Sequence, residues 1–488
     1  MKTIKLTFCV VALLMAAVFA GCKSLPFEER ENPDLKLAGS EYTEALEIIE
    51  FRKPEYEKDK NHISFLLDTG LLHHYAGEYR KSTEELKEAG RLIDEAFTKS
   101  ISEGFSAILS GSLKKQQYPG EDHENIYLQV FNSLNYYHLG NYESAMVEIR
   151  QMNEKLKYME GEYQAQADKL KKKQTPRELN FTNSALARFL GVLYHRGSGN
   201  LDGARIDAQE LANAFTEFPN VYTFPIPQAL VLRNGVCEET SIPEGKARLN
   251  ILSFTGLSEI KVPVNDNFQF WYDNSQMIED KSGRAYYRNA HVEGIPPFSP
   301  LHVALDSRSS SVDRIAVAVE GGAPFTLSPI EDLEAVIKTL KDRVLQRMAE
   351  IEGRKLILDV LSGGYTVFLD PSVRWYGYFS NMPLKTWLMD FESEEYKELW
   401  KKHIKGGLQA ESREILDTRM GRFFPGRAHC GGINLDPGSY TVTINYYAGN
   451  TLLGTDRREN VQVQAGKLNL IESMCFKGIE LPEFEKSF

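Results

Sequence analysis

One spacing, repeated along the first half of this chain, limits its fold more than any other feature. Residues 70 to 89 read Gly70-x-x-His73-x-x-x-Gly77-x-Tyr79-x-x-Ser82-x-x-x-Leu86-x-x-Ala89. A second copy reads Ser133-x-x-Tyr136-x-x-x-Gly140-x-Tyr142-x-x-Ala145-x-x-x-Ile149. A third reads Gly191-x-x-Tyr194, then, after one inserted residue, Gly199-x-Leu201-x-x-Ala204-x-x-x-Ala208. A half copy, Tyr42-x-x-Ala45-x-x-x-Ile49, precedes them. Small and apolar residues three and four apart are a helical period, and a glycine between two such stretches ends one helix before the next begins. The pattern predicts pairs of antiparallel helices from about Ser40 to Arg233. Tyr42, Tyr79, Tyr142 and Leu201 are 37, 63 and 59 residues apart, so extra helix or loop lies between the later copies, as around Leu109 to Asn125. A generic helical bundle is the plainer alternative.

Pro219, Pro225 and Pro227 break the helical pattern and place a boundary there. Beyond Lys246 the texture changes. Ala247 to Phe254 and Glu259 to Val264 read as strands around a Thr255-Gly256-Leu257 turn, and Leu301 to Leu305 and Arg314 to Val319 as further strands. Ser328-Pro329-Ile330-Glu331 carries the residues of a helix start, and Leu333, Val336, Ile337, Leu340, Val344, Leu345 and Met348 continue it as one long amphipathic helix. His429 to Cys475 reads as a β-meander with turns at Asp436-Pro437-Gly438, Gly449-Asn450 and Ala465-Gly466. The expected class is α+β: a helical-repeat domain over 40–235, then a mixed, mainly β domain over 246–488 with its own core.

The N-terminus sets compartment. Lys2 and Lys5 precede an apolar run, Leu6 to Ala20, that ends in Phe19-Ala20-Gly21-Cys22. The run is too short for a comfortable membrane span and reads as a secretion signal. It resembles a bacterial lipoprotein signal, which implies that residues 1–21 are removed and that Cys22 is lipidated. An ordinary signal cut elsewhere and an uncleaved anchor are the alternatives. Residues 22–39, with Pro26, Pro33 and many charges, read as a tether. Localisation in the bacterial envelope, facing the periplasm, follows, with the outer membrane favoured because Lys23 carries no retention signal.

The repeated segments resemble the tetratricopeptide repeat, in which small residues let paired helices approach. On that resemblance Gly70, Gly77, Tyr79, Gly140, Tyr142, Ala145, Gly191, Gly199 and Ala204 are packing positions. The whole mature chain is similar to a family of uncharacterised bacterial lipoproteins that join such a half to a mixed α/β half. The segments that carry this are Leu66 to Leu72 with Gly77-Glu78-Tyr79, Tyr118 to Glu121, Ala145 to Arg150 with Asn153, Glu331 to Glu334 with Lys341-Asp342-Arg343, Asp417-Thr418-Arg419 and Leu435 to Thr441. Sequence around Gly363 to Gly407, including Trp375, Tyr376, Tyr378 and Phe379, departs from the pattern. The resemblance implies a place in the envelope and no known activity.

No motif carries a reaction. The chain lacks GxxxxGK[ST], HExxH and GxSxG. Its net charge of −11 provides no basic surface for nucleic acid. Cys237, Cys430 and Cys475 have no CxxC spacing, so no metal or cofactor is expected; Cys430 and Cys475 are the candidate disulfide, with free thiols the alternative. His73 and His74 point apart on a helix and read as packing residues. Glu84-Glu85 and Glu394-Glu395 read as solvated helix faces. Asp417 and Arg419, two apart, form the sharpest C-terminal cluster: on a strand they share one face, either as a structural pair or around a ligand carboxylate. The leading expectation is a lipid-anchored scaffold that binds an envelope protein or peptide in an open groove of the helical array. The alternatives are an enzyme acting on cell-wall material, with its site in the C-terminal domain, and a structural part of a larger assembly.

Overall fold

The computed structural model describes residues 32–103, 117–170, 181–265, 277–279, 285–287, 301–340 and 419–479. Cys22 with residues 1–21, Asp417, and the aromatic cluster from Trp375 to Phe379 lie outside the described residues.

The N-terminal half is helical: α1 Pro33–Ala38, α2 Tyr42–Phe51, α3 Lys53–Lys58, α4 His62–Tyr75, α5 Tyr79–Glu103, α6 Asp122–His138, α7 Tyr142–Leu170, α8 Ala185–Gly197 and α9 Leu201–Glu217. From α4 onward each helix packs on its chain neighbour. Three helix pairs, α4/α5, α6/α7 and α8/α9, share one turn. Gly77, Gly140 and Gly199 stand at φ +79°, +73° and +79°. The residue after each glycine donates its N–H to a carbonyl five positions back: Glu78 to His73, Asn141 to Tyr136 and Asn200 to His195. This six-to-one closure satisfies the last carbonyls of a helix and needs a left-handed residue at the glycine.

The C-terminal half is a sandwich. β1 Ala247–Asn265 is the centre of a five-stranded sheet ordered β11-β1-β8-β7, with β4 also on β1. Its other members are β4 Leu301–Arg308, β7 Ser328–Asp332, β8 Pro425–Leu435 and β11 Asn469–Cys475. β1 pairs β11 in parallel and β4 and β8 antiparallel. The second sheet is β10-β9-β5-β6, from β5 Arg314–Val319, β6 Phe325–Thr326, β9 Gly438–Ala448 and β10 Thr451–Val463. β2 Met277–Glu279 and β3 Ala285–Tyr287 form a separate pair.

Alternation along β1 assigns its two faces. Leu249 and Ile251 meet Ile315, Val317, Val442 and Ile444 of the second sheet in one core. Leu252 and Phe254 join Leu71, Phe131 and Leu190 of the helices in another. The order is therefore helices, then the first sheet, then the second. β1 is buried on both faces, and the polar residues among Ala247 to Phe254 are buried and bonded: Arg248 and Asn250 to Glu239, and Ser253 to Tyr446.

Several expectations change. The largest core crosses the proline-marked boundary rather than stopping at it, since Phe131 packs 5.5 Å from Phe254 and 6.1 Å from Phe424. Thr255-Gly256-Leu257 is not a turn. β1 continues through it in unbroken pairing with β8, its register against β4 shifting only between Leu257 and Ile260; Gly256 is at φ +65°, and a Cβ there would also meet the Ser310 nitrogen at 2.9 Å. The long helix does not begin at Ser328. Residues 328–332 pair with β8, helix begins at 333, and Asp332 accepts from the Ala335 N–H as its cap. The meander is also wrong in part. Only β9 and β10 form a hairpin, while the Asp436-Pro437 turn carries the chain from one sheet to the other. Pro33–Ala38, expected within the tether, is instead the helix α1 and is built into the fold, with Asp34 and Leu37 fully buried.

Cys430 and Cys475 are free and buried. β1 lies between their strands, with Cys430 opposite Leu252 and Cys475 opposite Thr255. Two strand spacings alone put at least about 9–10 Å between the pair, and the three-residue offset along β1 adds to that, well beyond the ~7 Å limit for a disulfide. They also face opposite sides of the sheet, Cys430 toward the helices and Cys475 toward the second sheet.

Candidate functional site

The first helix of each pair is buried almost all round. Every residue of α4 from Ile63 to Tyr75 and of α6 from His123 to Asn135 is buried. The inner face of the helical array is therefore not an open groove, because the chain's own first sheet fills it.

Polar side chains hold that seam. Glu472 of β11 lies between two histidines: its Oε1 is 2.8 Å from His74 Nε2 and its Oε2 is 2.7 Å from His138 Nε2. His74 Nδ1 is 2.7 Å from Asn135 Oδ1, and Asn135 Nδ2 donates to Ser82. Both His74 nitrogens thus face acceptors, the arrangement of an imidazolium. Burial alone would lower the His74 pKa, but the Glu472 carboxylate and its hydrogen bonds raise it. Burial opposes ionisation of Glu472 as well, yet the two histidines hold its pKa far below the ordinary carboxylate range.

Further joints repeat this design. Asp34 accepts from Arg308 at 2.9 Å and Arg422 at 3.0 Å. Glu239 accepts from Arg196, from Arg248 at 2.8 Å and from Asn250 at 2.9 Å. Glu331 of β7 caps the start of α8 from the sheet. It accepts from the Leu186 N–H and Ser184 hydroxyl at 3.0 Å, from Tyr222 at 2.9 Å and from Tyr127. Asp68 and Glu124 hold consecutive backbone N–H groups of the segment entering β8, Arg422 for Asp68 and Gly421 for Glu124. Burial lifts the Asp68 pKa to about 7. Burial with the nearby Glu121 lifts that of Glu124 to about 8. Each carboxylate spans elements far apart in sequence, and its donors are protein groups. The seam is chemically a set of fasteners. No group of His, Cys, Asp and Glu suited to a metal occurs among the described residues.

The positions marked in the repeats divide into kinds. Gly70 and Gly191 sit where paired helices touch: a Cβ would meet Leu86 at 2.8 Å and the Asp207 carboxylate oxygen at 2.2 Å. Ala145 and Ala204 are fully buried. Gly77, Gly140 and Gly199 have open space where a Cβ would stand, so their φ rather than crowding requires glycine. Gly140 is thus not a close-approach site. Tyr79 stacks on His138 at 4.2 Å, whereas Tyr142 is half exposed. His73 is buried and pairs with Glu78 at 2.6 Å and Glu85 at 3.7 Å, so Glu85 is no purely solvated residue. Arg419 is in no strand. It donates to the carbonyls of Asp59 and Lys60 at 3.2 Å and lies over the Tyr118 ring, a structural clamp on the turn before α4.

A cleft opens on the outer side, between α5, α6 and α7, with a volume of about 260 Å³. Gly90 allows its floor, since a Cβ there would press Leu128 at 3.2 Å. Glu148, Gln129 and Asn132 line it and are buried. Spacing alone did not reveal this site, because Gln129 and Asn132 read as polar residues of an ordinary amphipathic helix. No protein-family model, curated protein or solved structure matches this chain.

Proposed function

We propose that this protein is a lipid-anchored scaffold of the bacterial envelope that holds a protein or peptide partner on the outer face of its helical array and catalyses no reaction. The observation that carries this reading is the disposition of the two helical faces. The inner face is sealed by the first sheet through Glu472, Glu331, Asp68 and Glu124, while the outer face keeps a polar cleft. The three shared Gly-turn helix pairs support tetratricopeptide-like repeats, and the sheet takes the place such arrays leave open for a peptide. Cys22 supplies the attachment: several acyl chains at about 0.8 kcal/mol per buried methylene hold a soluble body at a membrane. The proposed family of bacterial lipoproteins agrees with this arrangement.

Two experiments test it. Cys22→Ser should leave a protein that no longer enters the detergent phase; unchanged partitioning with an intact signal in the mature mass overturns the anchor. A photo-crosslinking residue placed at Val147 or Gln151, both exposed at the cleft rim, should capture one discrete envelope partner in cells. The same residue at Phe51, exposed on α2, should not. Equal or no capture at both places overturns the outer-face reading.

A further inference from the structure

We infer that residues 419–424 are a pH-sensitive strap. It lies closed on the helices while Glu124 carries a proton, and it peels away locally, ahead of the rest of the fold, once that proton is lost. The strap stands apart from the outer cleft and works whether or not that cleft binds a partner.

Side chains hold the strap, not a strand ladder. Residues 419–424 are in neither helix nor strand. Glu124 of α6 accepts from the Gly421 N–H and Asp68 of α4 from the Arg422 N–H, both at 2.5 Å. On the carbonyl side, Arg308 donates to Arg422, and the Tyr75 hydroxyl donates to Phe423 at 2.7 Å. One backbone bond ties the strap to β1, from the Ser258 N–H to the Phe424 carbonyl at 2.8 Å. Gly421 permits the close approach, since a Cβ there would stand 3.2 Å from the Glu124 carboxylate and 3.4 Å from Leu67.

The charges around the two carboxylates differ. Asp68 lies in a balanced group. Arg308 and Arg422 both bond Asp34 of α1 and both favour an ionised Asp68, which Tyr56 of α3 also bonds at 2.8 Å. Glu124 is fully buried, and its donors are all neutral: the N–H groups of Gly421 and Glu121 and the Tyr118 hydroxyl. Lys261 of β1 pairs with Glu121, whose own charge opposes a second one on Glu124. Arg419 turns to the Asp59 and Lys60 carbonyls. His123, beside Glu124 on α6, is kept neutral by burial and by Lys261, its pKa pushed down to about 3. A buried carboxylate without a cation is costly. Three hydrogen bonds favour its ionised form, but burial and Glu121 outweigh them and lift the pKa to about 8.

Peeling lets water reach Glu124, which then ionises at its ordinary 4.5. The closed form binds a proton that the open form releases. The closed form is therefore most favoured below pH 4.5, and the advantage is lost as pH rises to about 8. Over that window the opening constant should climb about tenfold per pH unit and then level off. Asp68, lifted by burial to about 7, adds in the same direction below that value.

The test is amide hydrogen exchange of the full-length, detergent-solubilised protein from pH 5.5 to 9, each rate divided by the intrinsic rate at that pH. The Gly421 and Arg422 amides should lose protection by about tenfold or more per unit up to about pH 8. Ile251 and Leu252, paired between β11 and β8, report opening of the whole fold and should exchange more slowly at every pH. Glu124→Gln keeps an acceptor oxygen and cannot ionise, so it should lower the slope at Gly421 by about tenfold per unit. Should that variant not fold, trypsin cleavage of the wild type after Arg422, taken relative to a short peptide of the same sequence, should accelerate over the same pH range. Exchange of Gly421 and Arg422 only together with β1, protection or relative cleavage that does not change with pH, or an unchanged slope in Glu124→Gln overturns the inference.

Discussion

His74 and Glu472 stand 398 residues apart in the chain and 2.8 Å apart in the fold. Neither side chain is solvated, at 0% and 2% exposure. Removing one partner of a buried ion pair leaves the other charged and unpaired, at about 3–5 kcal/mol. Replacing both with apolar side chains is close to neutral. Glu472→Leu should therefore lower the urea midpoint sharply, since it also strands His138, and His74→Leu with Glu472→Leu should recover much of the loss. A double variant as weak as the single one would mean that the pair is not the fastener.

The same pair sets a pH window. The Glu472 pKa is held below its ordinary 4.5, so its contribution is present above that value and is lost as pH falls through the lowered one. The His74 pKa is raised above 6.5, so its contribution is present below that value and is lost as pH rises through the raised one. The difference in stability between the wild type and the double leucine variant should be largest between about pH 4.5 and 6.5 and shrink on either side. A difference that does not change with pH would show that the two groups are not ionised together.

Asp68 and Glu124 push the other way from ordinary carboxylates. Folding raises their pKa values from 3.8 to about 7 and from 4.5 to about 8. The folded state then binds more protons than the unfolded one across that range, so stability falls as pH rises through it. Asp68→Asn and Glu124→Gln remove the ionisation and keep a carbonyl oxygen for the N–H groups of Arg422 and Gly421. Thermal melts from pH 5 to 9 should show the double variant with the flatter profile. Parallel profiles would mean that both groups are already charged at pH 5.

Much of this was legible in sequence where the signal is local. The Gly-x-Tyr turns appear because a helix end needs one residue at positive φ, and glycine marks it wherever it falls. The strand at Tyr440 to Tyr446 appears because its β-branched and aromatic residues alternate. The seam was not legible. Asp68, Glu124 and Glu331 look like surface acids until the sheet is laid against the helices, and their donors lie up to hundreds of residues away. Ser-x-x-Glu before an apolar run is the pattern of a helix start, so local sequence assigns Glu331 to one. Pairing with β8 outweighs the local preference and moves the helix start to residue 333.

Two substitutions in the second helix pair separate two physical causes. Gly140 has φ +73° and open space where a Cβ would stand, so Gly140→Ala should cost about 1–2 kcal/mol, the penalty of a left-handed alanine. Ala145 is fully buried, so Ala145→Trp should cost about 1–3 kcal/mol or more through overpacking. Denaturant titration of both checks this. A tolerated tryptophan would place Ala145 outside the core.

The last expectation concerns whether the helical half can stand alone. A helical-repeat domain separate from the β domain predicts that a fragment of residues 30–235 folds alone, because helical repeats depend mainly on neighbouring repeats. The structure argues against it. Leu71, Phe131 and Leu190 share a core with Leu252, Phe254 and Phe424, so cutting the chain at the prolines exposes them. The cut also leaves His74, Asp68 and Glu124 without partners from the sheet side. The sheet loses its cover in turn: Glu331 and Glu472 become charged groups on an apolar face. Each fragment should therefore show secondary structure by circular dichroism without a cooperative melt, and bind a dye that reports exposed apolar surface. Mixing the two fragments should restore one cooperative transition, since the seam has apolar contact and paired charges enough to reassemble. Cooperative unfolding of residues 30–235 alone, at a stability near that of the whole chain, would show that the sheet is an addition to the helical array and not its core.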